Sequence, residues 1–117
     1  MSNYESITVE KRGPVAVLTI NRPDKLNALN RSVHAEGVAA LDDLRTDDSV
    51  RVLVITGAGP KSFIAGADIS EFEGQTPVTQ RDLFHERKFF NTIDAFPKNV
   101  IAMINGFCLG GGNELAL

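Results

Sequence analysis

Residues 50–62 read VRVLVITGAGPKS. The first seven are almost all aliphatic, which predicts a strand over 50–56 that is buried in the interior of a sheet. Gly57, Gly59 and Pro60 then predict a loop. A buried strand of this kind is typical of an α/β fold, in which helices cover both faces of a sheet.

Strands and helices alternate before this stretch. Residues 7–21, ITVEKRGPVAVLTIN, predict two strands joined by a tight turn. A helix is expected to begin near Asn30 or Ser32 and to end in the polar residues 46–49. Strands that alternate with helices predict right-handed crossovers and a largely parallel sheet.

The second half of the chain continues the alternation. The spacing of a capping box at Asp68 predicts a short helix, and a longer helix is expected over 77–95. VIAMING, residues 100–106, predicts another buried strand. A glycine-rich turn follows over 106–112, and Glu114 lies in the first turn of a last helix.

Composition limits the class of protein. The chain has 117 residues, 43% of them apolar and 23% charged, which fits one folded domain. A net charge of −3 argues against nucleic acid as the main partner, because phosphate binding needs concentrated Lys and Arg. Neither a secretory signal nor an apolar run of about 18 residues is present in the sequence, so we expect a cytoplasmic protein that does not cross a membrane.

Nucleotide-binding motifs fail in detail. A phosphate-binding loop requires Gly directly before Lys61 and another Gly five residues earlier, but Pro60 and Ile55 occupy those positions. The dinucleotide pattern fails because Ser62 stands where its third Gly belongs. No cluster of Cys and His has the spacing of metal ligands, so we expect no metal site.

Two glycine-containing turns, AGAD (65–68) and LGGGNE (109–114), each follow a strand and lead toward a helix. Backbone N–H groups at such places are unpaired, and two of them together can stabilise a developing negative oxygen. On spacing alone, two ordinary strand-to-helix turns are the favoured interpretation. Glu114 fits equally a helix cap or a partly buried carboxylate suited to proton transfer.

The remaining reactive side chains suggest structural roles. His34 and His85 each stand alone on a predicted helix and are expected at the surface. Cys108 is the single cysteine and is expected to be a small core residue, since no neighbouring group would activate a thiolate.

Three stretches together resemble the crotonase superfamily, also called the enoyl-CoA hydratase/isomerase family. They are VLTINRPDKLNALN (17–30), VRVLVITGAGPKSFIAGADISEF (50–72) and VIAMINGFCLGGGNELAL (100–117), in family order and spacing. The resemblance implies a crotonase-like ββα spiral core with a largely parallel sheet. Residues 1–117 would form its N-terminal part, and because the last helix ends on apolar residues, we expect a longer protein.

The resemblance also implies site residues. The backbone N–H groups of Ala67 and Gly111 would form an oxyanion hole for a thioester oxygen. Glu114 matches the first of two catalytic glutamates of the hydratases, and the second lies beyond Leu117 in the family. With one of the two carboxylates, the 117 residues alone are expected to be inactive.

Contacts with coenzyme A are implied for two segments. One is the loop at Lys25 and Leu26. The other is the stretch 65–69, which contributes Ala65, Gly66, Asp68 and Ile69. Coenzyme A would be part of the substrate, and no separate cofactor is expected.

The implied activity is that of a lyase, a 2-enoyl-CoA hydratase of fatty acid β-oxidation, assembled as a homotrimer or hexamer. Alternatives are another crotonase-type reaction, such as isomerisation or carnitinyl-CoA dehydration, and a non-catalytic CoA-binding subunit. Fold and oxyanion hole alone do not determine the reaction.

Overall fold

The computed structural model describes residues 4–64 and 88–108. This part of the chain contains a mixed four-stranded sheet, a parallel two-stranded sheet and two α-helices. In chain order the elements are β1 (Ile7–Arg12), β2 (Val15–Ile20), a 3-10 turn (Pro23–Lys25), α1 (Arg31–Arg45), β3 (Val52–Gly57), β4 (Ser62–Ile64), α2 (Lys88–Asp94), β5 (Asn99–Ala102) and β6 (Phe107–Cys108).

The larger sheet has four strands in the order β1-β2-β3-β5. β1 and β2 form an antiparallel hairpin, whereas β3 lies parallel to β2 and to β5. Because parallel neighbours need crossovers, α1 connects β2 to β3. The α/β class and the largely parallel sheet are confirmed.

The core lies on one side of this sheet. Alternate residues of β2 point into it, and Ala16, Leu18 and Ile20 are fully buried. Leu53 and Ile55 of β3 are equally buried. Burying a side chain of this size contributes about 1.5–3 kcal/mol, so these strands supply much of the stability of the fold.

Helix α1 is defined at both ends by side chains. The Asn30 side-chain oxygen accepts a hydrogen bond from the Val33 N–H at 2.9 Å, which confirms the expected start. At the other end the Lys98 ammonium donates to the carbonyls of Leu44 (2.9 Å) and Asp47 (2.6 Å). A cation at this end also complements the helix dipole.

Helix α2 packs on α1. The Phe89 ring is fully buried and meets the His34 ring edge to face, with centroids 6.2 Å apart. His34 is half-buried because α2 packs against it. The prediction of a surface position for His34 is therefore wrong. α2 confirms the end of the predicted 77–95 helix, and residues 77–87 lie outside the described part.

The smaller sheet was not expected. β4 and β6 pair in parallel, so Phe107 and Cys108, predicted within a glycine-rich turn, form a strand instead. The predicted buried strand 100–106 is shorter, ending at Ala102, and the prediction of burial is wrong, because Ile101, Met103 and Ile104 are exposed. Cys108 is half-buried against the core, as expected for a small structural side chain.

Candidate active site

The β4–β6 pair is the framework of the candidate site. Ser62 lies opposite Phe107, and Ile64 lies opposite Cys108. Between these two pairs β4 has one extra residue, Phe63, so the pairing contains a β-bulge there. Bulges are frequent beside active sites because they redirect the chain that follows. Phe63 is fully buried, which holds the bulge in the core.

Parallel pairing has a geometric consequence for the segments that follow. Both strands run in the same direction, so the chain leaves β4 and β6 at the same edge of the small sheet. The predicted oxyanion donors Ala67 and Gly111 follow these strands in sequence. Both residues, together with Glu114 and the stretch 65–69 (Ala65, Gly66, Asp68, Ile69), lie outside the described residues.

The Lys25–Leu26 loop lies directly beside β4. Lys25 is exposed at the end of the 3-10 turn, and Leu26 adopts a left-handed conformation with φ of 52°. The Ser62 hydroxyl donates a hydrogen bond of 2.7 Å to the Leu26 carbonyl. The structure therefore brings the Lys25–Leu26 loop, one predicted CoA-contacting segment, to the start of β4. The other predicted segment, 65–69, follows β4 in sequence.

The turn between β3 and β4, residues 57–62, is held by two asparagine side chains that the sequence interpretation missed. Asn27 and Asn105 both donate hydrogen bonds to the Ser62 carbonyl, at 2.8 Å and 3.1 Å. Asn27 is completely buried. Thr56 is also buried, and its hydroxyl continues the network with a 2.9 Å hydrogen bond to the Met103 carbonyl. Neither asparagine stands in a distinctive sequence pattern, since NALN and ING are ordinary loop sequences.

Two glycines allow this turn to lie close to its neighbours. A Cβ atom at Gly57 would collide with the Phe63 carbonyl oxygen and lie 2.5 Å from the Ser62 carbonyl oxygen. A Cβ atom at Gly106 would collide with the Lys61 carbonyl oxygen and lie 2.8 Å from the Ser62 nitrogen. Both positions require the absence of a side chain, because the obstacles are backbone atoms.

Charge near this framework is modest. Lys61 lies in the 57–62 turn, and Lys25 precedes Leu26, whose carbonyl the Ser62 hydroxyl binds; both lysines are exposed. Among residues 4–64 and 88–108, no group of three or more His, Cys, Asp or Glu side chains could hold a metal ion. The same ranges contain no helix with the length and apolar character needed to span a membrane.

The fold and this framework agree with the comparisons. Residues 10–117 match the family model described as enoyl-CoA hydratase/isomerase. The chain belongs to this family, the crotonase superfamily, and corresponds to its N-terminal part.

Individual relatives give the same picture. The chain is 45% identical over 115 residues to a crotonyl-CoA hydratase of Syntrophomonas wolfei, covering 97% of this chain and 44% of that protein. It is 43% identical over 113 residues to a short-chain-enoyl-CoA hydratase of Clostridium acetobutylicum, covering 96% and 43%. The crystal structure of an enoyl-CoA hydratase from Bacillus anthracis superimposes with a TM-score of 0.91 at 33% identity, covering 96% and 44%. The chain therefore spans less than half the length of the relatives it matches.

Proposed function

We propose that the protein adds water across the C2–C3 double bond of a 2-enoyl-CoA thioester. The class of enzyme, a crotonase-type protein acting on acyl-CoA, follows from the family. The choice of hydration rests on Glu114, which matches the first catalytic glutamate of hydratases.

The observation that supports the proposal most is the pairing of β4 with β6. Ile64 lies opposite Cys108, and the proposed donors Ala67 and Gly111 each come three residues after this pair. Equal spacing from paired residues favours the approach of the two segments to each other beyond the sheet edge. Two convergent backbone N–H groups suit a thioester oxygen that becomes negative as the reaction proceeds.

The chemistry that follows uses these groups in order. Both N–H groups donate hydrogen bonds to the thioester oxygen, which withdraws electrons from C3. Glu114 accepts a proton from a water molecule as the oxygen of that water bonds to C3. The electron pair of the double bond moves toward the carbonyl and forms an enolate. A proton is then delivered to C2, which gives the 3-hydroxyacyl-CoA product. Loss of one such oxyanion donor typically lowers the rate ~10²–10³-fold.

The delivery of that proton requires a second acid. The family resemblance places a second glutamate beyond residue 117, and we infer that the 117 residues alone do not turn over substrate. The same resemblance supports a homotrimer or hexamer, with fatty acid β-oxidation as the proposed context. A cytoplasmic location is carried over from the sequence as a proposal. Coenzyme A enters as part of the substrate, and its contacts are proposed for Lys25, Leu26 and the stretch 65–69.

The direct test measures hydration of crotonyl-CoA by the protein expressed from its complete reading frame. We expect 3-hydroxybutyryl-CoA as product. Glu114→Ala is expected to lower the rate by ~10²-fold or more while CoA binding is retained, because only proton transfer is removed. Glu5→Ala, which removes an exposed carboxylate on the N-terminal segment, is the matched control.

Three outcomes would contradict the proposal. Unchanged hydration in Glu114→Ala would remove the role given to this carboxylate. A product with a shifted double bond, in place of a hydroxyl group, would identify an isomerase. Binding of CoA without any turnover would instead support the non-catalytic subunit.

A further inference from the structure

One backbone carbonyl in the described residues receives side-chain amides from two separate parts of the chain. Asn27 follows the 3-10 turn, and Asn105 lies between β5 and β6. Both donate from Nδ2 to the Ser62 oxygen, as described above. We name Asn27 and Asn105 together the amide clamp, because both side chains bind carbonyls of the 57–62 turn.

Asn27 connects the turn to the loop that contains Lys25. Its Nδ2 also donates to the Ala58 carbonyl at 3.0 Å, and its Oδ1 accepts from the Arg22 N–H at 2.9 Å. Its own backbone N–H donates to the Arg22 carbonyl at 2.8 Å. Asn27 has φ of 57°, a left-handed conformation that Asn tolerates better than most residues. The side chain is fully buried, so these directional bonds replace solvent completely.

Asn105 connects the same turn to β6. The two hydrogens of its Nδ2 are shared among three carbonyls, those of Ser62, Gly57 (3.0 Å) and Gly59 (2.8 Å). Its Oδ1 accepts from the Gly57 N–H at 3.3 Å. One amide therefore contacts the beginning, the middle and the end of the turn. Only a side chain with both donors and an acceptor can do this.

β4 and β6 are thus connected by side-chain hydrogen bonds in addition to their backbone ladder. β4 begins at Ser62, whose carbonyl is the shared acceptor, and β6 begins two residues after Asn105. Among residues 4–64 and 88–108, the ladder pairs Ser62 with Phe107 and Ile64 with Cys108. The amide clamp adds side-chain hydrogen bonds to this pairing at the start of β4.

We propose that the amide clamp is a positioning device that fixes β4 against β6 for catalysis. Its bearing on catalysis rests on the proposed function, since the segments that follow these strands contain the proposed oxyanion donors. Neither asparagine is proposed to touch substrate. Both act by holding the turn, so their replacement alters the distance between the ends of the two strands.

The test uses Asn105→Asp in the protein from its complete reading frame. The variant keeps the side-chain shape but replaces the donor with an oxygen that faces three carbonyl oxygens. We expect the exchange of the backbone amide hydrogens of β4 and β6 to be about tenfold faster, with β1 and β2 unchanged. We also expect kcat for crotonyl-CoA to fall by ~10²-fold, the usual cost of a displacement of about 1 Å. KM should stay within about threefold, because the Ser62–Leu26 bond beside the CoA loop remains.

Asn91→Asp is the matched control, since it makes the same change at an exposed position on α2. Exchange in β4 and β6 that is equal in Asn105→Asp and Asn91→Asp would overturn the proposal. So would faster exchange with unaltered kcat. If Asn105→Asp does not fold, Asn105→Ser, which adds no charge, is judged by the same two measurements.

The proposed function fails separately. If the unsubstituted protein does not hydrate crotonyl-CoA, hydration is excluded, and the exchange measurement still decides whether the amide clamp holds β4 against β6.

Discussion

The two sheets of this chain are held together by different interactions. In the four-stranded sheet, buried aliphatic side chains of β2 and β3 pack together, and burial of apolar surface depends little on direction. In the two-stranded sheet, side-chain amides bind backbone carbonyls, and such bonds require defined distances and angles. The comparison suggests that the larger sheet supplies stability, whereas the smaller one supplies geometry.

The largest effect on stability is expected from Leu53→Ala. Leu53 is fully buried on the central strand β3, where it lies opposite Ala16 of β2 and Val100 of β5. The cavity left behind should lower the free energy of unfolding by about 2–5 kcal/mol. Urea denaturation measures this change, and Thr8→Ala at an exposed position of β1 is the control. A loss equal to that of the control would mean that this sheet does not supply the stability.

A smaller effect is expected from Gly57→Ala, at the boundary between the two sheets. The new methyl group would meet the Phe63 and Ser62 carbonyl oxygens and the Asn27 amide. Overpacking of this kind costs about 1–3 kcal/mol, and we expect the displacement to reach β4. Calorimetry measures the stability change, with the exposed Ala39→Ser on α1 as control. A variant as stable as the control would show that the turn has room to move.

The smallest effect is expected from Asp47→Asn at the surface. The Lys11 ammonium, and then the Ser49 hydroxyl (2.6 Å) and N–H (3.0 Å), hold the pKa of the Asp47 carboxyl far below its usual value of 3.8. The carboxylate therefore stabilises the folded state above about pH 4, and this contribution is lost as the pH falls through the lowered pKa.

The stability difference between wild type and Asp47→Asn should consequently be present at pH 7 and decrease below the usual carboxyl pKa. Salt should reduce it, because the Lys11 and Asp47 side chains are 39% and 23% exposed, so mobile ions can reach the pair. Urea midpoints between pH 2 and pH 7 measure the difference, and Asp48→Asn removes the same charge one residue away. A difference that grows as the pH falls would contradict this assignment.

The sequence predicts the larger sheet better than the smaller one, for a physical reason. Continuous aliphatic runs and the Asn30 cap are local signals, so β2, β3 and α1 were predicted close to their observed bounds. β4 pairs with β6, which lies far from it in the chain, so this pairing depends on tertiary contacts and leaves no local signal. Their local sequences, SFI and FC next to glycines, resemble a turn.

The candidate site was predicted unevenly for the same reason. Lys25 and Leu26 were predicted as a CoA-contacting loop, and the structure brings this loop beside β4 through the Ser62 hydroxyl. Asn27 and Asn105 have no distinctive sequence pattern, because the carbonyl that each binds is determined by tertiary packing. The roles of Ala67, Gly111 and Glu114 rest on family resemblance and stay predictions.

The most direct test of the contrast between the two sheets measures kcat and the urea midpoint together in Leu53→Ala and Asn105→Asp. We expect Leu53→Ala to lower the midpoint while kcat per folded molecule changes little. We expect Asn105→Asp to lower kcat by ~10²-fold with a much smaller change in midpoint. If both variants lost stability and turnover in the same proportion, the separation of stability from geometry would be wrong.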